Sequence, residues 1–531
     1  MAALFIYAGT MKAFITALLF LCASAAFARD AVTARQFMVA AAHPLASEAG
    51  YDVLRRGGSV VDAAIAVQMV LGLVEPESSG IGGGAFLLHW SAAEQRLRSY
   101  DGRETAPAAA RPDRFLAKGK PLAFLDAALS GRSVGVPGVV RMLELAHRRH
   151  GRLPWAELFQ PAIRLAEEGF PLSPKLHALL QETKVDLYPG SAAGERVVNP
   201  SYGATLRAIA AGGADAMHRG AIAEDVVRAA RADLTTADLA AYRAVERDPL
   251  CGRYRVWRVC SMGPPSSGGV AVLQILGMLE RTPFAAAPPQ SAQAVHYFAE
   301  AGRLAYADRA RYLGDPDFVA VPVVRLLSPA YLSRRAGLIG ERSLAQALPG
   351  DVEGGTSHFS IVAANGDALA MTTTIETLFG SRILVRGFLL NNQLTDFDFV
   401  PGLPNQVGPG KRPRSSMAPT MVFDSRGELR LIVGSPGGSA IINYVAKALV
   451  GVLDWKLDIQ QAIDLPNFGS RNGPTQLEAG TPFEKLAAPL EERGHQVNLI
   501  RLQSGLHGIE RVPGGWRGGA DSRREGVARG D

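Results

Sequence analysis

The residues with the clearest potential for chemistry are Thr356 and the glycine pair before it, in the segment Gly354-Gly355-Thr356-Ser357-His358. A threonine hydroxyl is a good nucleophile only when a base removes its proton, and an N-terminal threonine carries that base in its own α-amine. The ordinary pKa of such an amine, about 7.7–8.0, leaves part of it neutral at working pH. Thr356 gains this amine if the chain is cut before it, and the flexible glycines favour such a cut. The same segment is also typical of an ordinary turn before a strand.

Other motifs that suggest catalysis lack the elements they require. Gly80-Ile-Gly-Gly-Gly84 precedes a strand, whereas a dinucleotide-binding loop must follow one. Gly131-Arg-Ser-Val-Gly135 has no strand immediately before it and no helix immediately after it, so it does not fit the nucleophile turn of α/β-hydrolases. The sequence contains no phosphate-binding loop of the Walker type and no HExxH or paired-cysteine metal motif. We therefore expect neither a metal nor an organic cofactor.

Composition excludes several classes of protein. The 531 residues include 56 basic and 50 acidic side chains, and the resulting charge of +6 is small for this length. The basic residues are scattered rather than concentrated, which argues against a nucleic-acid partner. Because 47% of the residues are hydrophobic, the chain can bury a large core without disulfides or metals.

Residues 1–28 have the pattern of a secretory signal peptide. A lysine is followed by a short apolar stretch that ends in Ala26-Phe27-Ala28, and cleavage is expected before Arg29. An uncleaved anchor helix is the alternative, but the stretch is short for a membrane span. We therefore predict a periplasmic or secreted protein without stable membrane insertion. Cys251 and Cys260 then remain in an oxidising compartment, either as a disulfide or as two buried thiols.

The elements around these motifs are predicted to be helices, then a strand-rich block, then helices again. Helical patterns occupy 45–54, 62–71, 135–235, 270–279, 293–311, 440–453 and 459–465. Strand-like runs occupy 85–90, 256–260, 358–362, 368–374, 388–390, 420–423 and 429–433. This order predicts an α/β layered core in which helices cover sheets, with an exposed loop over 348–355. The last dozen residues are rich in glycine and arginine and are expected to be frayed.

In their order along the chain, the motifs resemble those of the γ-glutamyltranspeptidase family of self-cleaving N-terminal-nucleophile hydrolases. The segments that carry the resemblance are His43–Gly50, Gly57–Ala64, Val74–Pro76, Ser79–Gly84, Asp101–Pro107, Ser133–Gly138, Pro264–Gly269, Thr356–Ser360, Leu389–Gln393, Lys411–Pro413, Ser415–Met417 and Gly434–Gly438. The resemblance implies an αββα sandwich built from two subunits cut from one precursor. These are a large subunit of residues 29–355 and a small subunit of residues 356–531, which form a heterodimer.

The resemblance also implies a role for each residue that matches a family motif. Thr356 is implied as the nucleophile after the cleavage site Gly355-Thr356, and Thr374 as the threonine that supports it by hydrogen bonding. Gly437 and Gly438 match the pair whose backbone N–H groups form the oxyanion hole. The side chains implied in substrate binding are Arg103, Ser415 and Ser416 for the α-carboxylate, and Gln393 and Asp396 for the α-ammonium, with Glu376 beside them.

These roles imply cleavage of a γ-glutamyl amide such as glutathione through an acyl-threonine intermediate, with transfer to water, an amino acid or a peptide. Two departures from the family pattern concern the substrate. Glu376 stands where well-studied members carry an asparagine, and a carboxylate there suits either an ammonium group or a pocket reshaped for another acyl group. The loop over 397–410 is shorter than the lid-bearing loop of many bacterial members and has no tyrosine, which favours bulkier substrates and hydrolysis.

Two other functions stay open at this level. An amidase of the same fold with another acyl preference, such as a glutaryl-type cephalosporin acylase, would act on acyl groups that lack the α-amino group. An uncleaved, inactive secreted scaffold is the other alternative. Such a scaffold would have no chemical reason to keep Thr356, Thr374, Arg103 and the glycine pair Gly437-Gly438 together.

Overall fold

Two seven-stranded antiparallel sheets form the centre of the computed structural model, which describes residues 29–344 and 355–531. The first, called here the Thr356 sheet, contains in spatial order Val527–Gly530, Met38–Ala41, Gly355–Val362, Ala368–Glu376, Gly84–Ser91, Arg96–Gly102 and Val245–Arg247. The second, called the Gly434 sheet, contains Val32–Ala34, Gly515–Ala520, His507–Val512, Leu429–Gly434, Thr420–Phe423, Trp257–Ser261 and Leu250–Tyr254. The predicted signal peptide and all but the last residue of the loop predicted over 348–355 lie outside the described residues.

Three hydrophobic cores show that the sheets lie face to face between two layers of helices. Alternate side chains of a strand point to opposite faces of its sheet. In the strand Gly355–Val362, Phe359 and Ile361 pack into the core beneath the helices, whereas Val362 packs into the core between the sheets. From the Gly434 sheet, Ile432 reaches the same intersheet core. The layers are therefore helix, sheet, sheet and helix, which confirms the predicted αββα sandwich.

The helices that cover the two sheets form where apolar periodicity predicts them. Those packed on the Thr356 sheet include Pro44–Arg55, Val60–Val74 and Val139–His150, and those on the Gly434 sheet include Gly268–Leu279, Ala292–Tyr312 and Ile441–Leu453. Val60–Val74 is buried along its whole length, as its nearly all-apolar sequence predicts. It begins with a capping box in which Ser59 and Asp62 each accept the other's backbone N–H.

Shorter elements complete the described chain. The other α-helices are Phe124–Ala128, Gln160–Glu168, Pro174–Thr183, Pro200–Gly212, Asp215–His218, Gly220–Ala230, Thr236–Ala241, Val323–Leu326, Pro329–Ala336, Ile459–Asp464 and Ala487–Glu492. The other strands are Leu116–Ala117, Lys120–Pro121, Phe170–Pro171, Arg196–Val197, Leu384–Val385, Phe388–Leu389, Phe468–Ser470, Thr475–Glu478 and Val497–Ile500. Within residues 29–344 and 355–531, no helix combines the length and the apolar character needed to cross a lipid bilayer.

The C-terminal residues are ordered, and the prediction that they fray is wrong. Val527–Gly530 adds an edge strand to the Thr356 sheet by pairing with Met38–Ala41. The side chain of Asp531 then accepts hydrogen bonds from the backbone N–H groups of residues 35–37. The glycine-rich local sequence does not favour an ordered strand. Pairing with a strand almost 500 residues away in the sequence orders it instead.

The two cysteines left after removal of the predicted signal peptide form a disulfide. Cys251 and Cys260 lie directly opposite each other in the paired strands Leu250–Tyr254 and Trp257–Ser261, with their Cα atoms 4.0 Å apart. The alternative of two separate buried thiols is thereby excluded. The disulfide joins the last two strands at one edge of the Gly434 sheet.

Candidate active site

The predicted nucleophile begins the central hairpin of the Thr356 sheet. Gly355–Val362 pairs with Ala368–Glu376, and the register sets Thr356 directly opposite Thr374. The register shifts between Gly355 and Thr356, which locally interrupts regular pairing. Both threonines are buried, each with 3% of its surface exposed. The hairpin thus brings two hydroxyls together at the point where the small subunit is predicted to begin.

Hydrogen bonds at Thr374 determine where the hydroxyl protons of this pair point. Oγ1 of Thr374 accepts the backbone N–H of Glu376 at 2.8 Å and donates to the carbonyl oxygen of Gly355 at 2.8 Å. A hydroxyl has a single proton to donate. Oγ1 of Thr356, 3.3 Å away, therefore donates to Thr374 rather than accepting from it. This arrangement leaves the lone pairs of the Thr356 oxygen available, while the hydroxyl of Thr374 polarises the carbonyl group of Gly355.

Two glycines allow other chain segments to approach the hairpin closely. A Cβ atom added at Gly355 would lie 2.7 Å from the carbonyl oxygen of Glu77. One added at Gly83 would lie 2.0 Å from the carbonyl oxygen of Thr374. Neither distance is tolerated between non-bonded carbon and oxygen atoms. The glycine before the nucleophile is therefore needed for packing as well as for flexibility.

A cavity of about 470 Å³ opens onto the two threonines. Nine of the predicted site residues line it, namely Thr356, Thr374, Arg103, Glu376, Gln393, Asp396, Ser415, Ser416 and Gly438. Gly355 and Gly437 do not line it, but each is the chain neighbour of a residue that does. The fold therefore gathers residues from both sides of the predicted cleavage site around one space.

Arg103 is completely buried, with 0% of its surface exposed, and is held by several acceptors. Its guanidinium forms an ion pair with Asp396 and donates to the carbonyl oxygens of Pro413 and Arg414, each at 3.1 Å. Asp396 also accepts a hydrogen bond from the Gln393 amide at 2.7 Å. Nη1 of Arg103 has no hydrogen-bond partner among the described residues. Nη1 is itself buried, and the carboxyl of Glu104 faces it, so a carboxylate that binds this side of the guanidinium has to displace that contact.

The resemblance implies no role for Glu104, yet this residue faces Arg103. It is fully buried, its Oε2 lies 3.7 Å from Nη1 of Arg103, and neither carboxyl oxygen has a hydrogen-bond partner in the described part of the chain. Burial raises the pKa of Glu104 to about 8 against the lowering effect of Arg103, and the charges of Asp396 and Asp101 raise it further. At neutral pH the carboxyl is protonated, so it does not neutralise Arg103.

Ser415 and Ser416 lie beside an arginine that no motif identifies. Nη2 of Arg309 donates to the hydroxyl of Ser416 at 3.0 Å, and Nε donates to the hydroxyl of Ser267 at 2.9 Å. The backbone N–H of Ser267 in turn donates to the carbonyl oxygen of Ser415 at 2.7 Å. Arg309 also lines the cavity. A second guanidinium therefore stands at the wall that carries the predicted carboxylate-binding hydroxyls.

Glu376 ends its strand with a backbone φ of 83°, in the left-handed region. This conformation is uncommon for a residue with a side chain, and its presence beside a cavity is typical of functional sites. The carboxylate accepts a hydrogen bond from the side-chain amide of Asn392 at 2.8 Å and lines the cavity. Together with Asp396 and Asp398, it is one of three acidic residues that line this space.

The predicted oxyanion pair lies where the strand Leu429–Gly434 leads into the helix Ile441–Leu453. Gly437 and Gly438 have φ values of 127° and 54°, in the region that favours glycine. A Cβ atom added at Gly437 would also lie 2.5 Å from the ring of Tyr444. Backbone N–H groups at the start of a helix have no partner within it and carry partial positive charge. The turn is therefore suited to an anionic oxygen.

Behind Thr356, a buried charged cluster holds the strand Gly355–Val362 in place. Ser357 donates to the carboxylate of Glu75 at 2.6 Å, and the ammonium of Lys175 lies 2.8 Å from the same carboxylate. Burial acts to raise the pKa of Glu75, but Lys175 and Arg524 outweigh it, so the pKa lies below its ordinary value. Nη1 of Arg524 also donates to the carbonyl oxygen of Thr356 at 3.5 Å. These contacts fix the strand immediately after the predicted cleavage site.

The short loop over 397–410 is held in place by its own hydrogen bonds. The side-chain amide of Asn405 donates to the carbonyl oxygen of Asp396 at 2.7 Å, and the backbone N–H of Asp398 donates to the carbonyl oxygen of Asn405 at 3.0 Å. The ammonium of Lys411 donates to two further carbonyl oxygens of the loop, at 2.7 and 3.0 Å. Apolar side chains of this loop, rather than a tyrosine, border the cavity.

Comparison with known proteins gives long matches of two kinds. The chain is 36% identical to the glutathione hydrolase proenzyme of Bacillus subtilis (strain 168), over 93% of this chain and 91% of that protein. It is 35% identical to the acylase ACY 1 proenzyme of Pseudomonas sp. (strain V22), over 92% of each. Among solved structures, the cephalosporin acylase from Bacillus halodurans has a TM-score of 0.87 and 28% identity, over 95% of this chain and 97% of that one.

The γ-glutamyltranspeptidase of Helicobacter pylori has 35% identity and a TM-score of 0.54, over 56% of this chain and 90% of the chain compared. A sequence model of the family described as Gamma-glutamyltranspeptidase matches residues 46–530, on both sides of the predicted cleavage site. The matched relatives include proteins named as proenzymes, and the solved cephalosporin acylase shares the fold of this chain. The chain therefore belongs to the γ-glutamyltranspeptidase family of N-terminal-nucleophile hydrolases, as its motifs predict.

Proposed function

We propose that the protein is a periplasmic or secreted γ-glutamyl hydrolase and transpeptidase that cuts its own chain between Gly355 and Thr356. The observation that carries this proposal is the series of hydrogen bonds from the hydroxyl of Thr356, through Thr374, to the carbonyl oxygen of Gly355. The products are a large subunit of residues 29–355 and a small subunit of residues 356–531. They stay together as a heterodimer.

Self-cleavage uses the same hydroxyl as catalysis. Oγ1 of Thr356 attacks the carbonyl carbon of Gly355, and the hydrogen bond from Thr374 stabilises the negative charge that develops on the carbonyl oxygen. The bond between that carbon and the nitrogen of Thr356 breaks, and the hydroxyl proton passes to the departing nitrogen. Water then hydrolyses the ester, which leaves a carboxylate on Gly355 and a free α-amine on Thr356.

In catalysis, the new amine serves as the base. The substrate α-carboxylate binds Arg103, and its α-ammonium lies against Asp396 and Glu376, which line the same cavity. The amine of Thr356 accepts the hydroxyl proton as the oxygen attacks the γ-carbonyl carbon, and the N–H groups of Gly437-Gly438 hold the oxyanion. The amine then protonates the leaving amine. Water, an amino acid or a peptide releases the acyl group, and a glutathione-like amide satisfies these requirements.

A second candidate is an acylase that prefers acyl groups without the α-amino group. Two observations favour it: the loop over 397–410 has no tyrosine, and a cephalosporin acylase has a TM-score of 0.87 over 95% of this chain. Against it stand the carboxylates of Glu376 and Asp396 in the cavity wall, because they attract the α-ammonium of a γ-glutamyl group and offer a glutaryl group no such contact. We therefore favour the γ-glutamyl group.

Self-cleavage is tested by denaturing mass spectrometry of the purified wild type beside Thr356→Ala. We expect two chains from the wild type, the smaller beginning at Thr356, and one uncut chain from the variant. The variant removes the attacking oxygen but little volume, so its circular dichroism spectrum should match that of the cut wild type. A wild type that stays uncut would exclude the free amine and favour the inactive scaffold.

The acyl preference is tested by comparing kcat/KM for γ-glutamyl-4-nitroanilide and glutaryl-4-nitroanilide, which differ only in the α-amino group. An ammonium bound to the carboxylates of the cavity wall should favour the γ-glutamyl compound by at least about tenfold. The reverse order would support the acylase. Turnover of neither compound by fully cut protein would contradict both candidates.

A further inference from the structure

The mouth of the cavity carries a group of apolar side chains that the proposed chemistry does not use. We call Leu122, Phe124, Phe399, Val400 and Leu403 the apolar rim, since all five line the cavity. Val400 is 55% exposed and Leu403 is 45% exposed. Exposed apolar residues that stand singly are ordinary, but residues grouped at the entrance of a binding cavity are typical of ligand contact.

The apolar rim is built on a rigid base. The ring of Phe399 stacks on that of the fully buried Phe115, with centroids 4.6 Å apart. Leu122 and Phe399 pack against a small core that also contains Leu394 and Phe397. Together with the hydrogen bonds of Asn405 described above, these contacts hold the apolar side chains in place before a ligand arrives, which lowers the entropic cost of binding.

The charged groups near the apolar rim are engaged with one another. The guanidinium of Arg414 lies 3.3 Å from the carboxylate of Asp398, and Arg103 is paired with Asp396. The ammonium of Lys411 donates to carbonyl oxygens of the loop itself. Charged side chains of a ligand would have to compete with these contacts, whereas an apolar group would lose only water.

The position of the apolar rim indicates which part of the substrate meets it. The α-carboxylate of the acyl group is expected at Arg103, which is completely buried and therefore closes that end of the cavity. We place the rest of the substrate on the path from Arg103 past Thr356 to the open part of the same cavity, where Val400 and Leu403 are exposed. The leaving amine occupies this end. The acceptor amine binds in the same place, because its attack on the acyl-enzyme is the reverse of the step that releases the leaving amine.

Resting on the proposed function, we infer that the apolar rim is a subsite for an apolar, preferably aromatic, side chain on the leaving or acceptor amine. The preferred substrates are then γ-glutamyl conjugates of aromatic or large aliphatic amines and amino acids. Small or highly charged amines are poorer substrates. Aromatic groups gain most because they combine a large buried area with favourable ring contacts.

The first test compares kcat/KM for γ-glutamyl-phenylalanine and γ-glutamyl-glycine with the cut wild-type protein. The two substrates share the scissile bond and the acyl group, so their ratio reports the side chain of the amine. An apolar subsite should favour the phenylalanine compound by about tenfold or more. A ratio near one, with both substrates cleaved, would overturn the inference and leave the proposed function intact.

The second test places a charge in the apolar rim and, as a control, elsewhere. Val400→Asp should reduce the phenylalanine-to-glycine ratio at least about threefold, because the carboxylate opposes burial of the ring. Val324→Asp changes a valine that is 88% exposed and outside the cavity, and it should keep the wild-type ratio. Equal phenylalanine-to-glycine ratios in both variants and the wild type would overturn the inference. Matching melting temperatures of the three proteins would show that a reduced ratio in Val400→Asp does not come from misfolding.

Failure of the proposed function gives a different pattern. If cut protein hydrolyses neither γ-glutamyl compound, the same pair is made as glutaryl amides. A preference for glutaryl-phenylalanine would support the apolar subsite on a different acyl group. Equal rates with the glutaryl pair would overturn the subsite.

Discussion

At the scale of single residues, the proposed binding of the substrate carboxylate by Arg103 predicts that Glu104 makes substrate binding depend on pH. Burial raises its pKa to about 8, so its carboxyl is neutral below that pH and negative above it. Once ionised, it lies 3.7 Å from Nη1 of Arg103 and competes with the substrate carboxylate for the guanidinium. Between about pH 7 and pH 9 we expect KM for γ-glutamyl-4-nitroanilide to rise about threefold to tenfold, with a much smaller change in kcat.

Glu104→Gln provides the control because it keeps the size of the side chain and removes its ionisation. KM of this variant should stay flat over the same pH range, while kcat should follow the wild-type profile. Other titratable groups that act on Glu104 are Asp101, Asp396 and Tyr242. A rise in KM that is the same in both proteins would assign the effect to another group that titrates in this range, such as the α-amine of Thr356 or that of the substrate.

The individual residues of the site were predictable only where a motif marks them. Arg103, Thr356 and Gln393 lie in recognisable segments, and the fold brings them to one cavity. Arg309 was missed because its contact with Ser416 joins residues 107 positions apart and has no local signature. Glu104 stands in the same motif as Arg103, but only the folded structure shows that its carboxyl is buried without hydrogen-bond partners.

At the scale of elements, Gly83 lets the chain just before the strand Gly84–Ser91 approach the hairpin that carries Thr356 and Thr374. Gly83→Ala would place a methyl group 2.0 Å from the carbonyl oxygen of Thr374, so the backbone of the hairpin must move. Such overpacking costs about 1–3 kcal/mol and displaces the Thr374 hydroxyl. We expect self-cleavage to slow at least about tenfold, measured as the fraction of cut chain over time.

Gly340→Ala is the matched control for this substitution. Among the residues that the structure describes, none lies within 4 Å of a Cβ atom added at Gly340, and the backbone there is not in the left-handed region. This variant should be cut at the wild-type rate. If Gly83→Ala were also cut at that rate, the hairpin would have to accommodate the methyl group without moving Thr374.

Elements were predictable where order arises from local sequence. The helix Val60–Val74 has an apolar run and its own capping box, and the strands Gly355–Val362 and Ala368–Glu376 have buried apolar residues in alternation. The strand Val527–Gly530 was missed because glycine and arginine carry little intrinsic strand preference. Its order comes from pairing with Met38–Ala41, which no local pattern reveals.

At the scale of the whole molecule, the C-terminal strand closes one edge of the Thr356 sheet. Deleting residues 527–531 removes four strand pairs and the three hydrogen bonds accepted by Asp531. We expect the free energy of unfolding to fall by roughly 3 kcal/mol or more, seen as a melting temperature several degrees lower. Asp531→Asn keeps the strand and should cost much less. An unchanged melting temperature in the deletion variant would contradict the pairing.

Both sheets are shared between the two predicted subunits. In the Thr356 sheet, Met38–Ala41 lies between Val527–Gly530 and Gly355–Val362, and Ala368–Glu376 pairs with Gly84–Ser91. In the Gly434 sheet, strands that precede the cleavage site occupy both edges. The layered fold was predictable from the order of elements, but this interleaving was not, because it depends on pairing between distant strands.

Because the sheets are interleaved, the cleavage proposed between Gly355 and Thr356 changes the molecularity of unfolding rather than the architecture. Before the cut, unfolding and refolding are first-order events within one chain. After it, complete unfolding releases two chains, and recovery becomes a second-order encounter that weakens with dilution. The precursor is therefore the form that can assemble at low concentration, and the cut enzyme lasts for as long as its unfolding barrier holds.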